Sequence, residues 1–214
     1  IWWIEHTRID GIRQDTHPYA DYDFMARWCR EVTKAYPDFN IVGESWYPSG
    51  PGFTAWWQRN AKVSPTNSYL KTVMDFNLTF ISQRAFIDEN NPSDGNSKGL
   101  FRIYESLAQD FLYADVDNIL VFLDNHDLGR FSLAEDSDLR KYKQGMAFLL
   151  TTRGIPQIYY GTEILMTGTK EGGDGGIRKD FPGGWEEDSV NAFTAEGRTP
   201  RQNEAWNYLQ KLLQ

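Results

Sequence analysis

The chain of 214 residues carries 22 basic and 30 acidic side chains, a net charge of −8, and 15% of its residues are aromatic. This acidic balance argues against nucleic acid or an anionic membrane surface as the main partner. A single cysteine, Cys29, excludes an internal disulfide. No apolar run reaches the roughly 18 residues of a membrane-spanning segment.

Segments with helical periodicity alternate with short apolar segments along the chain. The five predicted strands cover residues 9–15, 41–44, 72–76, 119–123 and 155–160. The predicted helices are a helix end with an aromatic core face over 1–8, then helices over 21–36, near 81–87, over 100–111 and over 139–149 with Ser137 as N-cap, and a last helix that opens with Thr199 and Pro200. Long loops are predicted over 45–70 and 161–198, and a polar loop over 88–99. Such alternation is typical of βαβ units and a parallel sheet. No internal repeat or linker divides the sequence, so residues 1–214 are predicted to form a single region.

The helix predicted over 21–36 has the clearest apolar side. Phe24, Trp28 and Val32 recur every fourth residue, which is the spacing of one helix face. Met25, Cys29 and Tyr36 lie beside this row, and Cys29 is predicted to be a buried, small hydrophobic residue.

Three predicted strands end in carboxylates, at Asp15, Glu44 and Asp127. The carboxyl ends of parallel strands lie on one face, so these acids are expected to converge. Such a group could bind a hard metal ion such as Mg²⁺ or Ca²⁺. It also fits glycoside hydrolysis, which uses one carboxylate as nucleophile and one carboxylic acid as proton donor. Arg13 shares a strand face with Asp15 and favours hydrolysis, because its charge keeps Asp15 ionised and competes with a metal.

Three ordered segments resemble signatures of the α-amylase family of retaining glycoside hydrolases. They are Asp10–Asp15 (DGIRQD), Gly43–Trp46 (GESW) and Asn125–Asp127 (NHD), and Gly161–Glu163 (GTE) resembles the last strand of the same family. Two further segments, Asp23–Met25 and Val73–Phe76, are similar to neopullulanases and cyclomaltodextrinases. The resemblance extends over nearly the whole chain.

The resemblance implies a role for each residue of the three signatures. Asp15 is expected to be the nucleophile that forms a covalent glycosyl-enzyme, and Glu44 the general acid and then the base, with a raised pKa. Asp127 is expected to bind sugar hydroxyls and to stabilise an oxocarbenium-like state. Arg13 is expected to orient Asp15, and His126 to hydrogen-bond the sugar at the cleaved position.

The implied substrate is an α-glucan oligosaccharide or polysaccharide, such as starch or a maltodextrin, and no cofactor is implied, with a calcium site as an alternative. Three more residues are candidates for contact with that sugar. Trp46 is expected to be either a sugar platform or part of the loop packing, and Trp185 to line the cleft from the last loop. His17 is expected at the loop or rim, with sugar binding as its functional alternative.

The family fold is a (β/α)₈ barrel, and the resemblance implies that this chain supplies strands four to eight. The fold class is therefore predicted as α/β with a partial TIM barrel. The chain opens at Ile1 within a helical pattern, so we expect it to be a fragment of a longer protein. Five strands leave two open edges, and we therefore predict a homo-oligomer or an exchange of segments between copies.

Several alternatives remain open. Transglycosylation on α-glucans is an alternative to hydrolysis, and a non-catalytic glucan-binding or assembly fragment is an alternative to an enzyme. Pro18 and Tyr19 stand where many family members carry Lys-His or Asn-Glu, which leaves the preference for α-1,4 or α-1,6 bonds open. The sequence does not distinguish a secreted or periplasmic location from a cytoplasmic one.

Overall fold

The computed structural model of the protein describes residues 1–87, 98–132 and 138–214. The loop predicted over 88–99 falls outside these ranges except for its last two residues. The predicted cap Ser137 also falls outside them, and the N-cap of the helix over 139–151 is Asp138, whose side chain accepts a hydrogen bond from the Arg140 N–H at 2.9 Å. Within these ranges the helices are α1 (Trp2–Thr7), α2 (Tyr22–Ala35), α3 (Pro51–Trp57), α4 (Phe76–Phe86), α5 (Phe101–Leu107), α6 (Leu139–Thr151) and α7 (Pro200–Leu212). The strands are β1 (Gly11–Gln14), β2 (Asn40–Gly43), β3 (Thr72–Met74), β4 (Ile119–Phe122) and β5 (Ile155–Gln157). No helix in the described ranges is long and apolar enough to cross a membrane.

The strands form one five-stranded sheet in which they are adjacent in chain order, from β1 to β5. The pairs β1–β2, β2–β3 and β3–β4 are parallel. A helix follows each of β1 to β4, as the alternation in the sequence predicts. The α/β fold class and the partial (β/α)₈ barrel are therefore confirmed. The outer strands of this sheet are β1 and β5.

The described residues divide into two compact units. The first unit comprises 1–85, 98–121 and 153–155, and the second comprises 86–87, 122–132, 138–152 and 156–214. The largest buried apolar side chains of the first unit include Leu70, Met74, Phe76 and Ile119. Those of the second unit include Phe122, Leu123, Met146 and Ile164.

Helix α2 buries one side of the predicted apolar face. Its buried side chains are Met25, Cys29 and Val32, whose spacings of four and three define a single helix face. The prediction for Cys29 is confirmed. Phe24 was predicted to be buried and is 53% exposed, because it precedes that face by one residue. The Asp21 side chain begins the helix by accepting a hydrogen bond from the Phe24 N–H at 2.9 Å.

Two other predictions need correction. Helix α1 was expected to have an aromatic core face, but Trp2 and Trp3 are exposed and Ile4 is its buried residue. The stretch over 45–70 was predicted as one loop, but it contains α3. Pro51 suits the first turn of that helix, because its fixed φ is helical and its missing N–H is not needed there.

The start of α7 agrees with the sequence. The Thr199 side chain accepts a hydrogen bond from the Gln202 N–H at 3.2 Å, and the Gln202 side chain accepts one from the Thr199 N–H at 2.8 Å. This reciprocal pair is a capping box, with Pro200 at the first helical position.

Candidate active site

Two of the predicted acids follow neighbouring strands at the same level of the sheet. Gln14 of β1 is aligned with Gly43 of β2, so Asp15 and Glu44 are the next residues of two parallel strands. The Glu44 N–H donates to the Gln14 carbonyl at 2.9 Å and continues the pairing for one more residue. The sheet therefore brings both side chains to the carboxyl end of the strands, as the sequence predicts.

Arg13 links the two acids. Its Nη1 lies 2.5 Å from Oδ1 of Asp15, and its Nη2 lies 2.5 Å from Oε1 of Glu44. The Asp15 side chain is 67% exposed, whereas that of Glu44 is only 3% exposed. One guanidinium group thus holds an open carboxylate and a buried one side by side.

The other oxygen of Glu44 is also occupied. Thr16 has a left-handed backbone conformation (φ 46°), and its N–H donates to Oε2 of Glu44 at 2.7 Å. Both oxygens of this buried carboxylate therefore accept a hydrogen bond, which compensates for its removal from water.

The third acid belongs to the second unit, together with its own partners. His126 Nε2 lies 3.1 Å from one oxygen of Asp127, and Arg178 Nη2 lies 2.6 Å from the other. Arg178 also donates through Nε to the His126 carbonyl at 2.8 Å. The structure thus groups Arg13 with Asp15 and Glu44, and His126 with Asp127, while the convergence of all three acids remains a prediction.

Arg178 was missed by the sequence analysis, although a signal was present. The glycine-rich segment after β5, residues 161–198, carries Lys170, Asp174 and Arg178 at intervals of four residues, a spacing at which opposite charges pair on a helical turn. In the structure Asp174 pairs with both Lys170 and Arg178. Asp174 thus helps to hold Arg178, the arginine that contacts Asp127.

Asp124 supports the loop that carries Asp127, and it was also missed. It is buried, and its carboxylate accepts hydrogen bonds from the Phe131 N–H at 2.9 Å and from the Thr162 hydroxyl at 3.1 Å. Burial raises the pKa of Asp124 to about 6, while the Phe131 N–H and the Arg130 guanidinium oppose that rise. Asn125 adds a second contact, because its side-chain oxygen accepts from the Asp127 N–H at 2.9 Å.

The two predicted tryptophan contacts have different environments. Trp46 is partly buried and stacks on Phe76 with 4.4 Å between ring centroids, which supports its packing role. Trp185 is 63% exposed in the segment after β5. Sugar binding by either ring remains a prediction.

His17 lies in the connection between β1 and α2, as predicted, but it is buried there and does not lie at the rim. The side chain is 1% exposed, lies edge-on to Trp57 with 5.4 Å between ring centroids, and packs against Gly43. Within the described ranges neither ring nitrogen has a hydrogen-bond partner. A buried imidazole without partners is strongly disfavoured as a cation, and burial lowers the pKa of His17 to about 4.

This burial predicts a pH-dependent stability. The folded pKa of about 4 lies below the ordinary 6.5, so the unfolded chain binds the proton more readily. The contribution of His17 to the free energy of unfolding is therefore complete above pH 6.5 and falls by about 3 kcal/mol as pH drops to 4. We expect the difference in unfolding free energy between wild type and His17→Gln, measured in urea, to shrink over this interval. His6→Gln, at an exposed site, is the control, and parallel curves for wild type and His17→Gln would contradict the prediction.

The acids were also considered as ligands of a metal ion. Within residues 1–87, 98–132 and 138–214, no group of three or more His, Cys, Asp or Glu side chains is arranged to hold an ion.

Comparison with known proteins assigns the chain to one family. Residues 2–208 match the family model described as alpha amylase, catalytic domain. A cyclomaltodextrin glucanotransferase from Niallia circulans is 33% identical over 171 residues, which are 78% of this chain and 21% of that protein. The chain thus spans about a fifth of the length of this curated relative.

Solved structures resemble the chain over nearly all of its length. The γ-CGTase from alkalophilic Bacillus clarkii is 28% identical with a TM-score of 0.70, covering 98% of this chain and 26% of that chain. The α-amylase from Geobacillus thermoleovorans, solved with acarbose, is 25% identical with a TM-score of 0.69, covering 100% of this chain and 42% of that chain.

Proposed function

Because the chain belongs to the α-amylase catalytic-domain family, we propose that it carries the catalytic acids of a retaining glycoside hydrolase. The substrate is an α-glucosidic bond of a starch-like glucan or maltodextrin. The observation that carries the proposal is the Arg13 guanidinium, which contacts Asp15 and Glu44 at the ends of adjacent strands. Retention requires two carboxyl groups about 5 Å apart, and two nitrogens of one guanidinium hold these two at short range.

Asp15 is the nucleophile in this proposal. Its exposed carboxylate attacks the anomeric carbon, the bond to the glycosidic oxygen breaks, and an ester joins the sugar to Asp15. Arg13 contacts the Asp15 carboxylate directly and fixes the direction of the attacking oxygen. This role needs an accessible carboxylate, and the exposure of Asp15 supports it.

Glu44 is the acid and then the base. It transfers its proton to the departing glycosidic oxygen, and the resulting carboxylate then takes a proton from the water that cleaves the ester. Both of its oxygens accept hydrogen bonds in the structure, from Arg13 and from the Thr16 N–H. These two contacts hold Glu44 in place and leave its carboxyl group further capacity for the proton and for the substrate oxygen.

Asp127 and His126 bind hydroxyl groups of the sugar that is transferred. Asp127 is held by Arg178 and His126, so its carboxylate is fixed before the substrate arrives. A preorganised carboxylate stabilises positive charge on the sugar ring without reorganisation during the reaction.

Two alternatives have observations of their own. Transglycosylation, in which a sugar hydroxyl replaces water as acceptor, is favoured by the similarity to glucanotransferases. An assembly or glucan-binding role without catalysis is favoured by the outer strands β1 and β5, which are open to pairing.

The test is the stereochemistry and the acceptor of the reaction. The 214-residue chain, and any longer protein that contains it, are incubated with maltoheptaose while the anomeric protons are followed by NMR. We expect the new reducing ends to form first as the α-anomer, and longer products to dominate at high substrate if a sugar is the acceptor. A first-formed β-anomer, or no cleavage by either protein, would overturn the hydrolase proposal.

A further inference from the structure

A polar cavity in the first unit has no part in the proposed mechanism. Its volume is about 350 Å³, and it lies among α4, α5 and the turn that precedes α3. Asn77, Arg102 and Ser106 form part of its wall, and Ser49, Glu105 and Gln109 line it where the chain is exposed. Such a volume lies at the lower end of the range of about 300–1,000 Å³ that is typical of small-molecule sites.

The buried part of the wall is polar and internally bonded. Asn77, Arg102 and Ser106 are 4%, 5% and 3% exposed. Asn77 Nδ2 donates to the Ser106 hydroxyl at 3.0 Å, and Arg102 Nη1 donates to the Arg84 carbonyl at 2.8 Å. Dry cavities are lined by apolar groups, whereas a cavity lined by fixed polar side chains takes up polar contents, either water or a ligand that replaces it.

The wall selects one class of ligand. It carries charges of both signs, Arg84 and Arg102 against Glu105, and each of these side chains already interacts with other groups of the protein, so the wall offers an ion no charge without a partner. Amide, hydroxyl, carboxylate and guanidinium groups offer donors and acceptors together, as the hydroxyls of a sugar require. Pro51 and Ile81 add apolar surface that can cover the C–H face of a pyranose ring.

We propose that this cavity is a subsite for a neutral mono- or disaccharide unit, which under the proposed function is a glucose or maltose unit of the α-glucan. Ser49 and Asn77 follow the carboxyl ends of β2 and β3, the end of the sheet that carries Glu44. A glucan segment held there is bound on the face where cleavage takes place. The sugar makes hydrogen bonds to Glu105 and Gln109 at the mouth and to Asn77 and Arg102 deeper in the wall.

The test is a titration of the full chain with maltose, followed through its backbone amide signals. We expect shifts at Asn77, Ile81 and residues 105–109 that are distinct from any shifts at residues 13–16. The double variant Glu105→Ala/Gln109→Ala changes only exposed residues and is expected to bind maltose at this cavity at least ~10-fold more weakly, because two polar contacts are lost. Tyr104→Ala, on an exposed position of α5 outside the wall, is the matched control and is expected to bind as wild type.

The outcomes separate this inference from the proposed function. Shifts confined to residues 13–16 and Glu44, equal binding by the double variant and wild type, or saturation of the cavity by inorganic phosphate instead of maltose would each overturn the subsite. Maltose binding at the cavity in a chain that cleaves no glucan supports the subsite and counts against the hydrolase. Cleavage of the glucan by a chain that binds no maltose at the cavity would support the hydrolase and overturn the subsite.

Discussion

Replacing Asp15 with asparagine is expected to lower kcat for α-glucan hydrolysis by about 1,000-fold or more, because the neutral amide cannot form the glycosyl ester. The substitution preserves size and leaves Arg13 its second partner, Glu44. The fold should therefore survive, and KM should change much less than kcat. Steady-state kinetics on maltoheptaose measure both quantities. Asp23→Asn, an exposed acid of α2, is the matched control and should retain wild-type rates.

The same variant can be checked without turnover. A fluorinated glucosyl fluoride slows hydrolysis of the ester more than its formation, so it should leave one fluoroglucosyl group on the peptide that contains Asp15. Mass spectrometry of the digested protein should find this group in wild type and in Asp23→Asn but not in Asp15→Asn. Hydrolysis by Asp15→Asn within a few-fold of wild type, or a label on another residue, would remove Asp15 from the nucleophile role.

The ends of β1 and β2 could be predicted because the information is local. A short apolar run that stops at a carboxylate specifies both a strand and the edge where the side chain emerges, and parallel pairing aligns Asp15 with Glu44. The sequence also predicted Arg13 beside Asp15, since side chains two residues apart share one strand face.

Other features depend on tertiary packing that no local pattern contains. Phe24 and Met25 are neighbours in sequence, and only the tertiary packing around α2 decides that Met25 is buried and Phe24 exposed. His17 is polar and lies in a Pro-containing turn, yet Trp57 and Gly43 enclose it. Arg178 is 51 residues from Asp127, so its contact follows from how the glycine-rich segment folds back. Such long-range contacts set the burial and charge of the candidate site.

The largest expected loss of stability comes from Arg153, which joins two acids of the first unit. Arg153 Nη2 lies 2.8 Å from Asp75 and 2.8 Å from Asp110, and the Asp75 side chain is only 1% exposed. Burial raises the pKa of Asp75, and the Arg153 charge opposes that rise. Asp75 also begins α4, because its carboxylate accepts from the Leu78 N–H at 2.9 Å. Arg153→Met leaves this buried carboxylate without its cation, and we expect the free energy of unfolding to fall by about 3–5 kcal/mol.

A second substitution distinguishes the loss of a charge partner from the loss of packing. Asp75→Asn removes the buried charge but keeps an acceptor for the Leu78 N–H, so Asp75→Asn/Arg153→Met should be more stable than Arg153→Met alone. Urea unfolding of the four proteins gives the coupling free energy between the two positions. Arg30→Met is the control, because Arg30 and its partner Glu31 are both half exposed and such pairs contribute about 0–1 kcal/mol. If the double variant were no more stable than Arg153→Met, the loss would lie in packing around Arg153, and the buried carboxylate would not be its cause.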